Sequence, residues 1–335
     1  MKITVLTHVE REDARHHEAV VDQVARALWQ GGHQVSVFGV HGDVARLSAG
    51  LRRRRPDLVF NLLETFGDTD LGAVGAAGLL GLLGFPYTGG GPGEMYVQED
   101  KVLTKKLLAF EHIRCPDFAV FSPDADLETA GKLRLPLFVK PLRMDASIGI
   151  DAGSLVHSTP EMLRRVGHIH KEVGDAALVE EYIEGREFYV GVLGNHEPRA
   201  FPPVEMDFSA LPEGAPHVLD SKAKWDPSSA EYQGTRAVLP ELPADVRARL
   251  QQVAVDAYRA LRVRDYGRID LRLTEAGDVY VIEVNASCYL EQGGEYATAA
   301  SAAGLGYPEL INRIAELAMQ RHAGRRRRSA AAVAL

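Results

Sequence analysis

The sequence predicts an α/β protein built from more than one lobe, and three observations carry that prediction. Strand-like and helix-like periods alternate through the first hundred residues, and a later segment folds back as a charged hairpin. The chain's 335 residues, 46% of them hydrophobic, also exceed what one ordinary domain needs for its core.

In the first lobe Ile3 and Val5 alternate with polar neighbours, apolar residues recur at helical spacing from Ala19 to Leu28, and Gly31-Gly32 supplies a stop. Strand signals return at 35–38 and 58–62 with a helix between them, and an Ala/Gly/Leu helix over 70–84 leads into Phe85-Pro86-Tyr87. Serial βαβ alternation implies a small parallel sheet covered by helices. A second lobe follows, with a charged helix from Glu99 to Phe110, a turn at Pro116 and strands at 137–139 and 148–150. A third carries strands at 178–183 and 188–193, then a polar stretch from Asp207 to Gly234 that reads as a functional lid or a disordered insert. A helix from Ala244 to Leu261, a hairpin from Arg268 to Asn285 and a helix from Pro308 to Met319 complete the chain. The lobes are read as 1–98, 99–182 and 183–335, without internal repeats.

A formal charge of -8, from 38 basic against 46 acidic residues, argues against a nucleic-acid-binding face and for small partners. Cys115 and Cys288 are too few for a disulfide framework and lack metal-ligand spacing, so they read as reduced thiols. The chain enters a strand pattern at once, and no apolar run approaches the ~20 residues that cross a bilayer. A cytoplasmic protein without a membrane partner is expected. Arg52 to Arg55 read as a solvated helix end, and the tail holding Arg325 to Arg328 reads as frayed.

The hairpin carries the sharpest chemistry. In GRIDLRLTEAGDVYVIEVN, Ile269, Leu271 and Leu273 alternate with Arg268, Asp270 and Arg272, giving one apolar and one charged face. The return strand sets Val281, Glu283 and Asn285 on one side and Ile282 and Val284 on the other, with the turn at Ala276-Gly277. A two-residue or four-residue loop centred there pairs Asp270 with Glu283 and Arg268 with Asn285. Directly opposed side chains hold their Cβ atoms about 4.5–5.5 Å apart, and like charges so placed destabilise a sheet. A divalent cation would compensate, since two carboxylates and an amide oxygen form a hard-oxygen site of the kind Mg²⁺ accepts. The other reading is neutralisation by Arg268 and Arg272 on a solvated face.

The hairpin resembles the closing element of the ATP-grasp fold, in which an Asp and a Glu-x-Asn hold two Mg²⁺ (or Mn²⁺) ions against ATP; here these are Asp270, Glu283 and Asn285. Other segments, in family order from residue 3 to 320, are similar to D-alanine–D-alanine ligases. FPYTGGGP with EDKVLTKKLL resembles the junction whose lysine reaches an ATP phosphate, giving Lys101, and LPLFVKP resembles the strand bearing a second phosphate lysine, Lys140. LVEEYIEGREFYVGVL is similar to the adenine connector, with Glu180 at the adenine amine, the backbone of Glu181, Tyr182 and Ile183 at its edge, and Glu187 at the ribose. SKAKW resembles the lid, placing Lys224 at the γ-phosphate; Ser147 would cradle phosphate. The resemblance implies an ATP-grasp fold with an N-terminal Rossmann-like (pre-ATP-grasp) lobe, and a homodimer. It also implies an ATP-dependent ligase in which an amino-acid carboxylate becomes an acyl phosphate that an amine attacks, with Arg268 stabilising the charge that develops.

The resemblance breaks where the amino-acid substrates would sit. The Gly-Gly loop after the first strand reads THVERED, and the His after the third strand becomes Glu64 in NLLETFGD. A Glu–Ser–Tyr trio falls on Asp13, Ala146 and Trp225, and the Asn-x-x-Pro-Gly run becomes NASCYLEQGGE. There Gln292, Gly293 and Gly294 either donate backbone N–H groups or form a plain turn, while Asp13 and Glu64 would select a cationic or amine-bearing group. The expectation is a ligase for substrates other than two D-alanines. Its alternatives are a D-alanine–D-alanine ligase, an ATP-grasp kinase and a non-catalytic ATP-binding regulator.

Overall fold

The computed structural model describes residues 1–333 apart from 13, 15, 70, 125–127, 131, 145–147, 212–216, 220–222, 224, 225 and 227; the side chains of 128, 130 and 325–333 are also outside the description. The strands and helices expected over the first hundred residues form. β1 (Lys2–His8), β2 (Gln34–Val40) and β3 (Leu58–Leu62) make a parallel sheet in the order β2-β1-β3. β1 is covered on both faces, which is why Ile3, Val5 and Leu6 are all buried. α1 (Ala19–Gln30) buries Val20, Val21, Val24, Ala27 and Leu28 and stops at Gly31. α2 (Val44–Arg54) is capped by Asp43, and its arginine-rich end is exposed except for Arg54, stacked 4.0 Å over Phe38. α3 (Gly72–Leu82) completes the cover.

The helix expected over 99–110 is present from Lys101, and a helix not expected from the sequence precedes it. Asp100 ends α4 (Pro92–Glu99), and its carboxylate accepts from the N–H groups of Val102 and Leu103, starting α5 (Lys101–Phe110). The second sheet is antiparallel, with β4 (Phe118–Phe121), β5 (Glu128–Ala130), β6 (Leu137–Pro141), β7 (Leu155–Val156) and β8 (Ala177–Glu181) ordered β5-β4-β8-β6-β7. The strand expected at 148–150 is absent. Gly149 turns at φ +72°, its carbonyl accepts from Arg165 of α6 (Thr159–His168), and β7 takes the place beside β6.

The third sheet runs β12-β11-β9-β13-β14, with β9 (Arg186–Leu193), β10 (Arg199–Ala200) paired to it, β11 (Val204–Asp207), β12 (Arg236–Val238), β13 (Tyr266–Leu273) and β14 (Val279–Asn285). Between these strands lie α7 (Ala230–Gly234) and α8 (Ala244–Ala260). Leu250, Ala254, Ala257 and Tyr258 of α8 pack on Phe188, Val190, Ile269 and Leu271, so the charged residues of these strands face the other way. α9 (Glu295–Ala302) and α10 (Tyr307–Val333) pack on the first sheet and α1: Ile3, Val24, Leu28 and Phe60 share one buried cluster with Tyr296, Leu310 and Ile314. The C-terminal tail is not frayed but helical to Val333, as its Ala- and Arg-rich composition favours, and Arg321 anchors it to Asp265 at 2.7 Å. Cys115 and Cys288 are unpaired thiols; burial pushes Cys288 up to about 12. Among the described residues no helix is long and apolar enough to cross a membrane.

Candidate active site

The hairpin pairs as its alternation requires, Asp270 opposite Glu283 and Arg268 opposite Asn285, but by another route. The loop has five residues, 274–278, with Gly277 at φ +85°, and a bulge beyond Asp270 takes up the odd residue. The expected phase of the return strand is corrected by that bulge: Val281 and Val284 both enter the core, while Ile282 and Glu283 both line the cleft. The charged face is not solvated either, since Asp270 and Arg272 are each 5% exposed.

On that face β9, β13 and β14 present one continuous row. Glu187 lies opposite Arg272 and Tyr189 opposite Asp270. Arg268 binds both Asp270 oxygens, at 2.7 and 2.9 Å, and its guanidinium lies 4.4 Å from the Tyr189 ring centre. Asn285 donates to Asp270 at 3.3 Å. Burial raises the Asp270 carboxyl above the usual carboxylate range, and Glu283 and Glu187 push the same way against the pull of Arg268.

The lysines arrive from α5 and β6. Lys101 and Lys105 sit one turn apart on α5, and Lys140 and Glu180 are diagonal neighbours on β6 and β8, since Lys140 pairs with Leu178 and Phe138 with Glu180. Glu180 Oε2 lies 3.0 Å from Lys140 Nζ, and Oε1 lies 2.8 Å from Lys105 Nζ in an ion pair too bent for a good hydrogen bond. Burial alone would raise the Glu180 carboxyl, but the two ammonium groups outweigh it and hold it at about 2. Glu180 is thus the lysines' counter-ion. Lys101 donates to Met144 O at 2.9 Å and stands 4.0 Å from Glu283 of β14.

The connector Glu181-Tyr182-Ile183 leaves β8 at the cleft edge. The N–H groups of Glu181 and Tyr182 are donated to Asp117 and Pro136 carbonyls, and Glu181's carboxylate binds Arg134. No described residue accepts from Ile183 N–H. Glu187 is gripped by Arg272 at 2.7 Å and by the Tyr189 hydroxyl at 3.1 Å, and Arg272 also reaches Gly185 O and His217 O. Reasoning from sequence overlooked Lys105, Tyr189 and Glu295. Lys105 had a signal in its four-residue spacing from Lys101; the other two had none.

Glu64, just past β3, is exposed, and its charge bears on the Tyr289 and Tyr266 phenols. Burial, with Glu18 bonded to Tyr289 at 3.0 Å, raises the Tyr289 phenol. The turn after β14 is less free to donate than its sequence suggested, because Gln292 N–H is taken by Gln23 and Gly294 N–H by Glu291 O, leaving Gly293. Asp13, Ala146, Ser147, Lys224 and Trp225 lie outside the described residues, as do 212–216, 220–222 and 227 of the stretch 207–234.

Lys101, Lys140, Glu180 to Ile183, Glu187, Asp270 and Glu283 line one cleft. Its volume is about 130 Å³, below the ~300 Å³ of small-molecule sites, and Val218 and Leu219 are also among its lining residues. A larger cavity of about 1130 Å³, between α4–α5 and the end of α8, gathers none of the residues singled out from the sequence. Among the described residues no three His, Cys, Asp or Glu side chains converge as metal ligands, so a cation here rests on Asp270, Glu283 and the Asn285 amide. That donor set fits a hard divalent ion, which would relieve the like-charge opposition of Asp270 and Glu283 across the hairpin.

Residues 106–316 match the family model described as D-ala D-ala ligase C-terminus. The chain is 32% identical over 302 residues to the D-alanine–D-alanine ligase of Desulforudis audaxviator, covering 89% of this chain and 92% of that one. It is 33% identical over 313 residues to the uncharacterized protein y4sG of Sinorhizobium fredii, with 91% and 89% covered. The crystal structure of D-alanine–D-alanine ligase from Bacillus anthracis complexed with ATP superposes with a TM-score of 0.75 at 22% identity, covering 97% of this chain and 99% of that one. With the ATP-grasp architecture present and homology spanning nearly its whole length, the chain belongs to the D-alanine–D-alanine ligase family.

Proposed function

We propose that the chain is an ATP-dependent ligase that joins an amino-acid carboxylate to an amine through an acyl phosphate, and that its substrates are not two D-alanines. The reading rests on one observation: a single cleft collects Lys101, Lys140, Glu187, Asp270 and Glu283 beside Arg268. In it Lys101 and Lys140 neutralise a triphosphate, the backbone at Ile183 and the Glu187 carboxylate hold adenine and ribose, and residues 207–234 close over the site. Asp270, Glu283 and Asn285 would hold Mg²⁺, which supplies charge neutralisation at the phosphates. Arg268, oriented by Asp270 and Tyr189, balances the negative charge that develops as the amine attacks. The division into lobes at 1–98, 99–182 and 183–335 belongs to the same reading.

D-Alanine–D-alanine ligation is the second reading, favoured by the names of the relatives. The replaced trio, Glu64, and the missing Pro-Gly after Asn285 favour the first. Incubation with Mg-ATP and L- and D-amino acids, singly and in pairs, separates them through phosphate release and product mass. Condensation of D-alanine alone refutes the first reading; products only from other acids or pairs support it. ADP formation without amine dependence points to a kinase.

A further inference from the structure

Glu295 opens α9 behind the N-cap Gly294, a place where the helix dipole favours a carboxylate whatever its function. Its Oε2 also lies 3.8 Å from Arg268 Nη1, and its side chain keeps 31% of its exposure. The rest of that guanidinium is engaged: Nε and Nη2 bind Asp270, and the Tyr189 ring faces it at 4.4 Å. A substrate carboxylate approaching Arg268 through Nη1 therefore meets a like charge before it can pair. Such juxtaposition is how sites reject a wrong partner.

We propose that Glu295 is a specificity-determining residue for the amine substrate. It excludes acceptors with a carboxylate beside the amine and admits those that present a cationic or hydrogen-bond-donating group there, as amino-acid amides and diamines do. The inference rests on the ligase reading above and narrows its substrate class.

The test uses the whole protein with Mg-ATP and offers each L- and D-amino acid in turn as the donor. Acceptors are L- and D-alanine, L- and D-alaninamide, and 1,4-diaminobutane, and kcat/KM is measured for each. The wild type is expected to favour the amide or the diamine over the free amino acids by about tenfold or more. In Glu295→Gln and Glu295→Ser that ratio falls toward one while the KM for ATP stays the same; a merely structural role would depress every acceptor alike. Equal use of alanine and alaninamide by the wild type overturns the proposal without any variant, as does an unchanged ratio in both variants. If no acceptor yields an amide, the ligase reading itself falls, and this inference with it.

Discussion

Replacing Glu180 by Gln removes the anion that two buried lysines share. Glu180 and Lys105 are each 2% exposed and Lys140 is 6% exposed. The carboxyl stands at about 2 against an ordinary 4.5, despite burial that opposes ionisation. At about 1.4 kcal/mol per pKa unit, that gap makes ionised Glu180 worth roughly 3 kcal/mol to the folded state. Gln cannot supply this and strands two ammonium groups, and breaking a buried pair costs about 3–5 kcal/mol. The sign follows from the lowered value: the contribution is complete above about pH 4.5 and is lost as pH falls through about 2. Urea unfolding followed by circular dichroism should therefore show Glu180→Gln destabilised by about 3–5 kcal/mol near neutrality, with the difference shrinking in acid. Adding Lys105→Met should recover part of the loss, because contacting residues couple. A neutral-pH difference under about 1 kcal/mol, or one that persists unchanged toward the lowered pKa, would refute the buried-counter-ion account.

Glu283→Gln is expected to abolish ADP formation with thermal unfolding unchanged, and normal turnover in that variant would remove the metal assignment. Arg272→Gln frees Glu187 and the carbonyl of His217, so the KM for ATP should rise by about tenfold or more, on the worth of charged hydrogen bonds; steady-state kinetics at varied ATP decide it. Arg321→Leu takes the cation from fully buried Asp265 and the donor from Tyr87 O, which should destabilise by about 3–5 kcal/mol in a thermal melt. Removing residues 324–335 should change stability by less than about 0.5 kcal/mol, and an equal effect of the two changes would show that the helix end, not Arg321, is the anchor.

The sequence by itself determined the features governed by local period and composition. Ile3 and Val5, the stripe from Ala19 to Leu28, and the opposition of Asp270 and Glu283 all follow from alternation and turn residues, which act over a few positions. The bulge was not legible because a five-residue loop and one extra residue cancel at Asp270, leaving the same pair by a different path. Nor was the second turn at 148–150, where Arg165, more than a dozen residues on, takes the carbonyl of Gly149. Only the tertiary structure decided what the charged residues meet. The sequence places Glu180 at an adenine amine through resemblance and does not show that α5 and β6 bring Lys105 and Lys140 onto it, nor that Asp270, Tyr189 and Glu295 surround Arg268. Period assigns a side chain to a face; the partner across that face comes from a distant stretch of chain, and it sets whether a charge is balanced, stranded or left to a substrate.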